Sequence, residues 1–128
     1  MFPYVTYNRN VATVTGVVAL FVVWATACEA PEQTIHIVAQ DFVFTPTEVH
    51  ASAERPIRLK IVNQGRERHE FKSSLLAHRT DVTSGPSSSL PVLPNATAEV
   101  VIRTMPGIYL YYCAIRGHAG MSGTIIVE

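Results

Sequence analysis

Residues 107–128 read GIYLYYCAIRGHAGMSGTIIVE, and their reading decides the fold. GIYLYYC is an apolar run rich in aromatic and branched residues that ends on Cys113, as a strand would. His118 and Met121 follow in a short loop carrying Gly117 and Gly120. From Ser122 to Glu128 the chain reads as another strand. A hairpin of this kind puts Cys113, His118 and Met121 within a few ångströms of one another. A second histidine, His69, stands 44 residues before Cys113 at a separate strand-like segment, so a neighbouring strand need bring only one more donor.

Each residue alone has a plainer account. A lone strand Cys is commonly a small buried hydrophobe, a lone Met a core filler, and a lone loop His a solvated surface group. Three soft or borderline donors within nine residues at a strand end fit those accounts poorly. One thiolate, two imidazoles and a thioether match the donor set of a single copper ion cycling between Cu(II) and Cu(I). Zinc is the weaker fit, because structural zinc sites favour paired Cys or paired His at short spacing, which this chain lacks.

At these residues the chain resembles the cupredoxin family of type 1 blue copper proteins, over about its last hundred residues from TIHIVAQ onward. The four residues between Cys113 and His118 are similar to the azurin arrangement, and the two between His118 and Met121 to that of amicyanin. The resemblance implies a Greek-key β-sandwich in which His69, Cys113 and His118 bind copper equatorially and Met121 axially. Plastocyanin-like members usually carry Asn or Ser just after the first His ligand, where it helps hold the ligand loop; this chain has Glu70. The run HEF (His69 to Phe71) also resembles cupredoxin-like domains attached to bacterial metal-uptake systems.

Length and composition agree with one domain. The chain has 128 residues, of which the hundred from Glu29 onward suffice for a sandwich core without disulfides. Ten basic and ten acidic residues give no net charge and nothing that points to nucleic acid. Cys28 and Cys113 lie in unrelated contexts, so no disulfide between them is expected.

No charged residue occurs between Arg9 and Glu29, and the 18 residues from Val11 to Cys28 are dominated by apolar side chains. This is the layout of an export signal. Ala25-Thr26-Ala27-Cys28 resembles a bacterial lipobox, with Ala25 where Leu is commoner; the Cys would be lipidated and become the mature N-terminus. The other reading is an uncleaved signal anchor, since the run is just long enough to span a bilayer. Either way the domain lies outside the cytoplasm in the cell envelope, on the periplasmic side, tethered to the membrane. The expected organisation is residues 1–28 as export signal or anchor, 29–33 as linker and 34–128 as cupredoxin domain.

Along that domain the signals are strand and turn. TIHIVAQ (Thr34 to Gln40) alternates as a half-buried strand does, and Phe42-Val43-Phe44 continues it before Pro46 breaks the run. Glu48 to Ala51 and PIRLKIVN (Pro56 to Asn63) follow; the latter sets Ile57, Leu59 and Ile61 against Arg58 and Lys60. Arg68 to Ser73 carries His69, and Ser74 to Arg79 forms a helical turn. Ser84 to Ser89, with Pro91 and Pro94, marks an irregular excursion. Ala98 to Arg103 resumes strand character. Seven or eight short strands indicate an all-β, antiparallel sandwich.

His36, His50 and His78 read as surface histidines, and Tyr109 and Tyr111 as packing residues. Tyr112 precedes Cys113, so strand alternation turns its ring away from the metal; it is either an ordinary strand Tyr or, as the cupredoxin resemblance implies, an aromatic near a remote electron-transfer surface. Arg66, Arg68 and Arg116 flank the ligand segments and either ring the copper end as a docking rim or form a solvated face. With no open ligand position and no acid–base pair beside the loop, the expectation is an outer-sphere, one-electron carrier rather than an enzyme, with no small-molecule substrate. Its partner would be a redox protein such as a cytochrome or membrane oxidoreductase. Alternatives are a copper-handling or chaperone protein, an accessory domain of a metal-uptake system, and a sandwich that has lost metal use.

Overall fold

A computed structural model describes residues 28–80 and 88–128. Among the described residues nine strands follow in order: β1 (Gln33–Gln40), β2 (Val43–Thr45), β3 (Glu48–Ala51), β4 (Ile57–Asn63), β5 (His69–Ser73), β6 (Ser89–Val92), β7 (Thr97–Ile102), β8 (Gly107–Cys113) and β9 (Ser122–Val127). One turn of 3-10 helix, Ser74–His78, follows β5, with the Ser73 side chain accepting from the Leu75 N–H at its start.

The strands form two sheets, ordered β2-β1-β4-β7 and β3-β9-β8-β5-β6. The expected sandwich is present, but pairing is not antiparallel throughout. β1 pairs with β4 and β3 with β9 in parallel, because the chain crosses to the other sheet between those partners.

The period-2 pattern of β4 does what it predicts. Ile57, Leu59 and Ile61 are buried between the sheets, while Arg58 and Lys60 face outward and pair with Glu99 on β7. Behind the ligand strands Phe71 and Tyr111 stack with ring centroids 5.0 Å apart, and Phe44 meets both edge-on. Burial pushes the Tyr111 phenol up to about 12, so it stays protonated. Its hydroxyl donates to the Pro46 carbonyl at 2.6 Å, the partner a buried Tyr needs.

Two strand expectations are corrected. Phe42-Val43-Phe44 does not continue β1: the chain reverses at Asp41–Phe42, where Phe42 adopts a left-handed φ of 68°, and β2 folds back antiparallel on β1. Pro91 belongs to β6, not to an irregular excursion. It is tolerated because β6 is an edge strand, where a missing N–H breaks no outer ladder. Ser89 likewise opens β6 and Pro94 lies in the turn after it, whereas Ser84 to Ser87 of that excursion, with residues 81–83 and the N-terminal segment 1–27, lie outside the described residues. Cys28 and Cys113 are both free thiols, the first exposed and the second buried. No helix among the described residues is long and apolar enough to cross a membrane.

Candidate metal centre

β5 begins at His69 and β8 ends at Cys113 on neighbouring strands, with Phe71 directly opposite Cys113. The 114–121 loop then turns back toward the start of β9. Cys113 N–H donates to the Met121 carbonyl at 3.0 Å, and Met121 N–H to the His118 carbonyl at 3.2 Å. Gly117 and Gly120 adopt left-handed φ of 93° and 94°, which the tight loop needs and a side chain would resist. The loop is also tied to β5, since Ala114 N–H donates to the Glu70 carbonyl at 2.9 Å. In this chain a backbone bond from Glu70 therefore joins the two ligand segments.

These elements bring His69, Cys113 and His118 together, with their donor atoms all within 4.8 Å of one another. Cys113 Sγ lies 3.4 Å from His118 Nδ1 and 4.0 Å from His69 Nδ1, and the two Nδ1 atoms are 3.2 Å apart. At most one proton fits between the two imidazole nitrogens, so three donors converge with little to share. A bound cation would satisfy all of them. His69 is fully buried, and burial, then the neighbouring His118, holds its pKa below the ordinary histidine value, which keeps it neutral and ready to donate a lone pair. Its Nε2 is buried without a partner, consistent with Nδ1 as the working nitrogen. Met121 is buried on the same loop. His69, Cys113, His118 and Met121 are thus arranged as a type 1 copper site, and the residues fit that ion.

Three residues that sequence reasoning missed hold the approach to His69. Asn63 is buried and uses its whole amide: Nδ2 donates to the Glu67 carbonyl at 2.8 Å and the Val92 carbonyl at 3.0 Å, while Oδ1 accepts from Gly65 N–H at 2.9 Å. Asp41 accepts from the N–H groups of Arg66 and Glu67 at 2.8 and 3.2 Å, bonds that pull its carboxyl below the usual range. Gly65 is where these meet, since an added Cβ would fall 2.3 Å from Asp41 Oδ1 and 2.9 Å from its backbone nitrogen. Gln64-Gly65 reads as a turn in the sequence, but nothing local there shows what braces it.

At the surface, Phe42 is 59% exposed and meets the His118 ring edge-on at 5.2 Å, leaving His118 only 8% accessible. Arg66, Arg68 and Arg116 are all exposed. They are interleaved with exposed Asp41 and Glu67 and half-buried Glu70, so the field at this end is mixed rather than singly positive. Tyr112 faces outward from β8, away from the cluster, and His36, His50 and His78 are exposed, as expected.

A small β-sandwich with one thiolate, two imidazoles and a thioether at one end defines a blue-copper type of protein. The chain belongs to the cupredoxin-like domain family, whose model matches residues 13–127. Among solved structures it is similar to auracyanin B, at 25% identity over 78% of this chain and 91% of that one, with a TM-score of 0.59. It shares the fold of auracyanin A, a "blue" copper protein from the green thermophilic photosynthetic bacterium Chloroflexus aurantiacus, at 23% identity, with 76% and 99% of the two chains covered and a TM-score of 0.58. The same holds for the dithionite-reduced auracyanin of the photosynthetic bacterium Roseiflexus castenholzii, at 15% identity, 74% and 96% coverage and a TM-score of 0.59. No curated protein matches the sequence. Copper-based electron transfer is the chemistry that this family and donor set support.

Proposed function

We propose that this protein is a one-electron carrier, not an enzyme, tethered to a membrane through its N-terminal segment and working on the extracytoplasmic, periplasmic side. The observation that carries the redox reading is the convergence of His69 Nδ1, His118 Nδ1 and Cys113 Sγ in a buried cluster. When bound there, copper supplies a reversible Cu(II)/Cu(I) couple. The chain's own residues do the rest. Cys113 supplies the covalent route into β8, while His118, in the loop under exposed Phe42, is the point where a partner makes contact. A cavity of about 360 Å³ lies elsewhere, lined by Gln33, His50, Ala51, Ser52 and Glu128, so it offers no substrate access to the cluster. The tether rests on the uncharged run after Arg9 and on Cys28 at its end.

The test is the visible spectrum of the copper-loaded full chain. Strong thiolate-to-copper charge transfer is expected, and Cys113→Ser should abolish it while leaving a folded sandwich. A colourless wild type holding stoichiometric zinc would sink the redox reading, and rapid loss of copper to a mild chelator would favour copper handling. For the tether, acyl mass on Cys28 with residues 1–27 removed is expected, and intact mass retaining those residues would establish a signal anchor instead.

A further inference from the structure

β8 is apolar on both faces, which a strand half open to water does not need. Tyr111 and Cys113 turn inward, yet Ile108 and Leu110 on the outward face are 72% and 67% exposed. Met105, in the turn leading into β8, is 73% exposed. Ile126 on β9 lies beside Ile108 and is half-buried, so the ridge widens into a patch in the middle of a sheet. A contiguous apolar surface of this kind marks a contact.

The place where the described chain begins says what covers it. β8 starts at Gly107, at the end of the sandwich away from Cys113. β1 also starts at that end, since its other end leads to Asp41 and Phe42 beside the metal cluster. Glu29, next to Cys28, is ion-paired with Arg103, two residues before Met105. The point of attachment therefore lies beside the foot of the apolar ridge.

We infer that Met105, Ile108 and Leu110 seat on the bilayer that holds the N-terminal segment, so that the domain lies side-on with its metal end facing along the membrane. This rests on the tether of the proposed function. A few apolar side chains bind a membrane weakly by themselves, but a tether beside them makes the contact intramolecular and raises their effective concentration. They then need enter only the boundary between headgroups and acyl chains, roughly 5–10 Å deep. The consequence is a fixed height and heading for His118 above the membrane.

The test uses the full chain with Trp24→Phe, so that one introduced tryptophan reports alone. Ile108→Trp reports the ridge and His36→Trp the outward face of the other sheet. Each is reconstituted with phosphatidylcholine–phosphatidylglycerol vesicles, with and without bromine on the acyl chains, and retention of the copper absorption verifies the fold. Flotation with the vesicles, a blue shift and bromine quenching at position 108, and neither at position 36, are expected. Adding Leu110→Asp should relieve the quenching while flotation persists. A protein that floats with position 108 unquenched, or with both positions quenched alike, overturns the seating and leaves the tether standing. If position 108 is already blue-shifted and shielded without vesicles, the ridge is covered by the chain itself or a second copy, and the inference falls. Failure to float removes the tether reading and the seating together.

Discussion

Asn63→Ala tests the bracing of the metal end most directly. The substitution removes three hydrogen bonds: two from Nδ2, to Glu67 and Val92, and one to Oδ1 from Gly65. A buried group left without its partner costs about 1–3 kcal/mol. The Glu67 carbonyl sits in an exposed turn where water can replace the amide, so two buried groups, Gly65 N–H and Val92 C=O, set the scale. The expected loss is about 2–6 kcal/mol, a large part of a total that is ordinarily about 5–15 kcal/mol. With a mid-range urea slope of about 2 kcal/mol per molar, the midpoint should fall by roughly 1–3 M. Asn63→Asp keeps the acceptor for Gly65 but turns an oxygen toward two carbonyls, and should be at least as damaging. The assay is urea unfolding of the apo and copper-loaded chains, with the rate of copper loss to a chelator measured alongside. Because Val92 lies opposite His69 in the β5–β6 pair, loosening there should also speed copper loss. A midpoint shift below about 0.3 M with an unchanged chelator rate would refute the reasoning.

Met121→Leu should raise the reduction potential, because losing a soft axial donor disfavours Cu(II); for one electron, a tenfold change in relative affinity is about 59 mV, and an unchanged or lower potential in voltammetry would exclude Met121 as a donor. The apo-protein should lose stability as pH falls below about 6.5, the unfolded-state value of histidine, since His69 is held lower in the fold and the unfolded chain binds more protons there. The slope from this one group is at most about 1.4 kcal/mol per pH unit, and urea midpoints flat from pH 7 to pH 5 would contradict it. Electron transfer to an acidic partner should slow with rising salt and with Arg116→Glu, the copper spectrum staying unchanged; a rate indifferent to both would mean apolar docking through Phe42 and the loop at Ala119 and Gly120.

The ligand set was legible because three of its four donors share nine residues, where strand and turn chemistry alone fix proximity. β4 was legible for the same reason, its period-2 pattern being local. What the sequence hid depends on partners far along the chain. Nothing local distinguishes Asn63 from any polar residue ending a strand; its role exists only because Val92, 29 residues on, closes over it. Asp41–Phe42 looked like the middle of one strand because apolar residues continue on both sides, and the reversal shows only in the pairing of Val38 with Thr45. The parallel pairs arise from crossings between sheets, which alternation does not encode.

The same distinction bears on how such a site can pass an electron with little movement. Each ligand-bearing segment is fixed by hydrogen bonds that do not involve a metal: the backbone bonds Cys113 to Met121 and Ala114 to Glu70, and the side chains of Asn63 and Asp41 on the turn before His69. Around them lies a stacked aromatic core of Phe44, Phe71 and Tyr111, where shifting one ring must shift the others. The donors are therefore positioned by the fold before any ion arrives, whichever share of the final geometry belongs to copper–thiolate bonding itself. If so, loosening Asn63 should disturb how long copper is held more than the colour it gives, because Cys113 and His118 keep their own hairpin when the His69 turn is loosened.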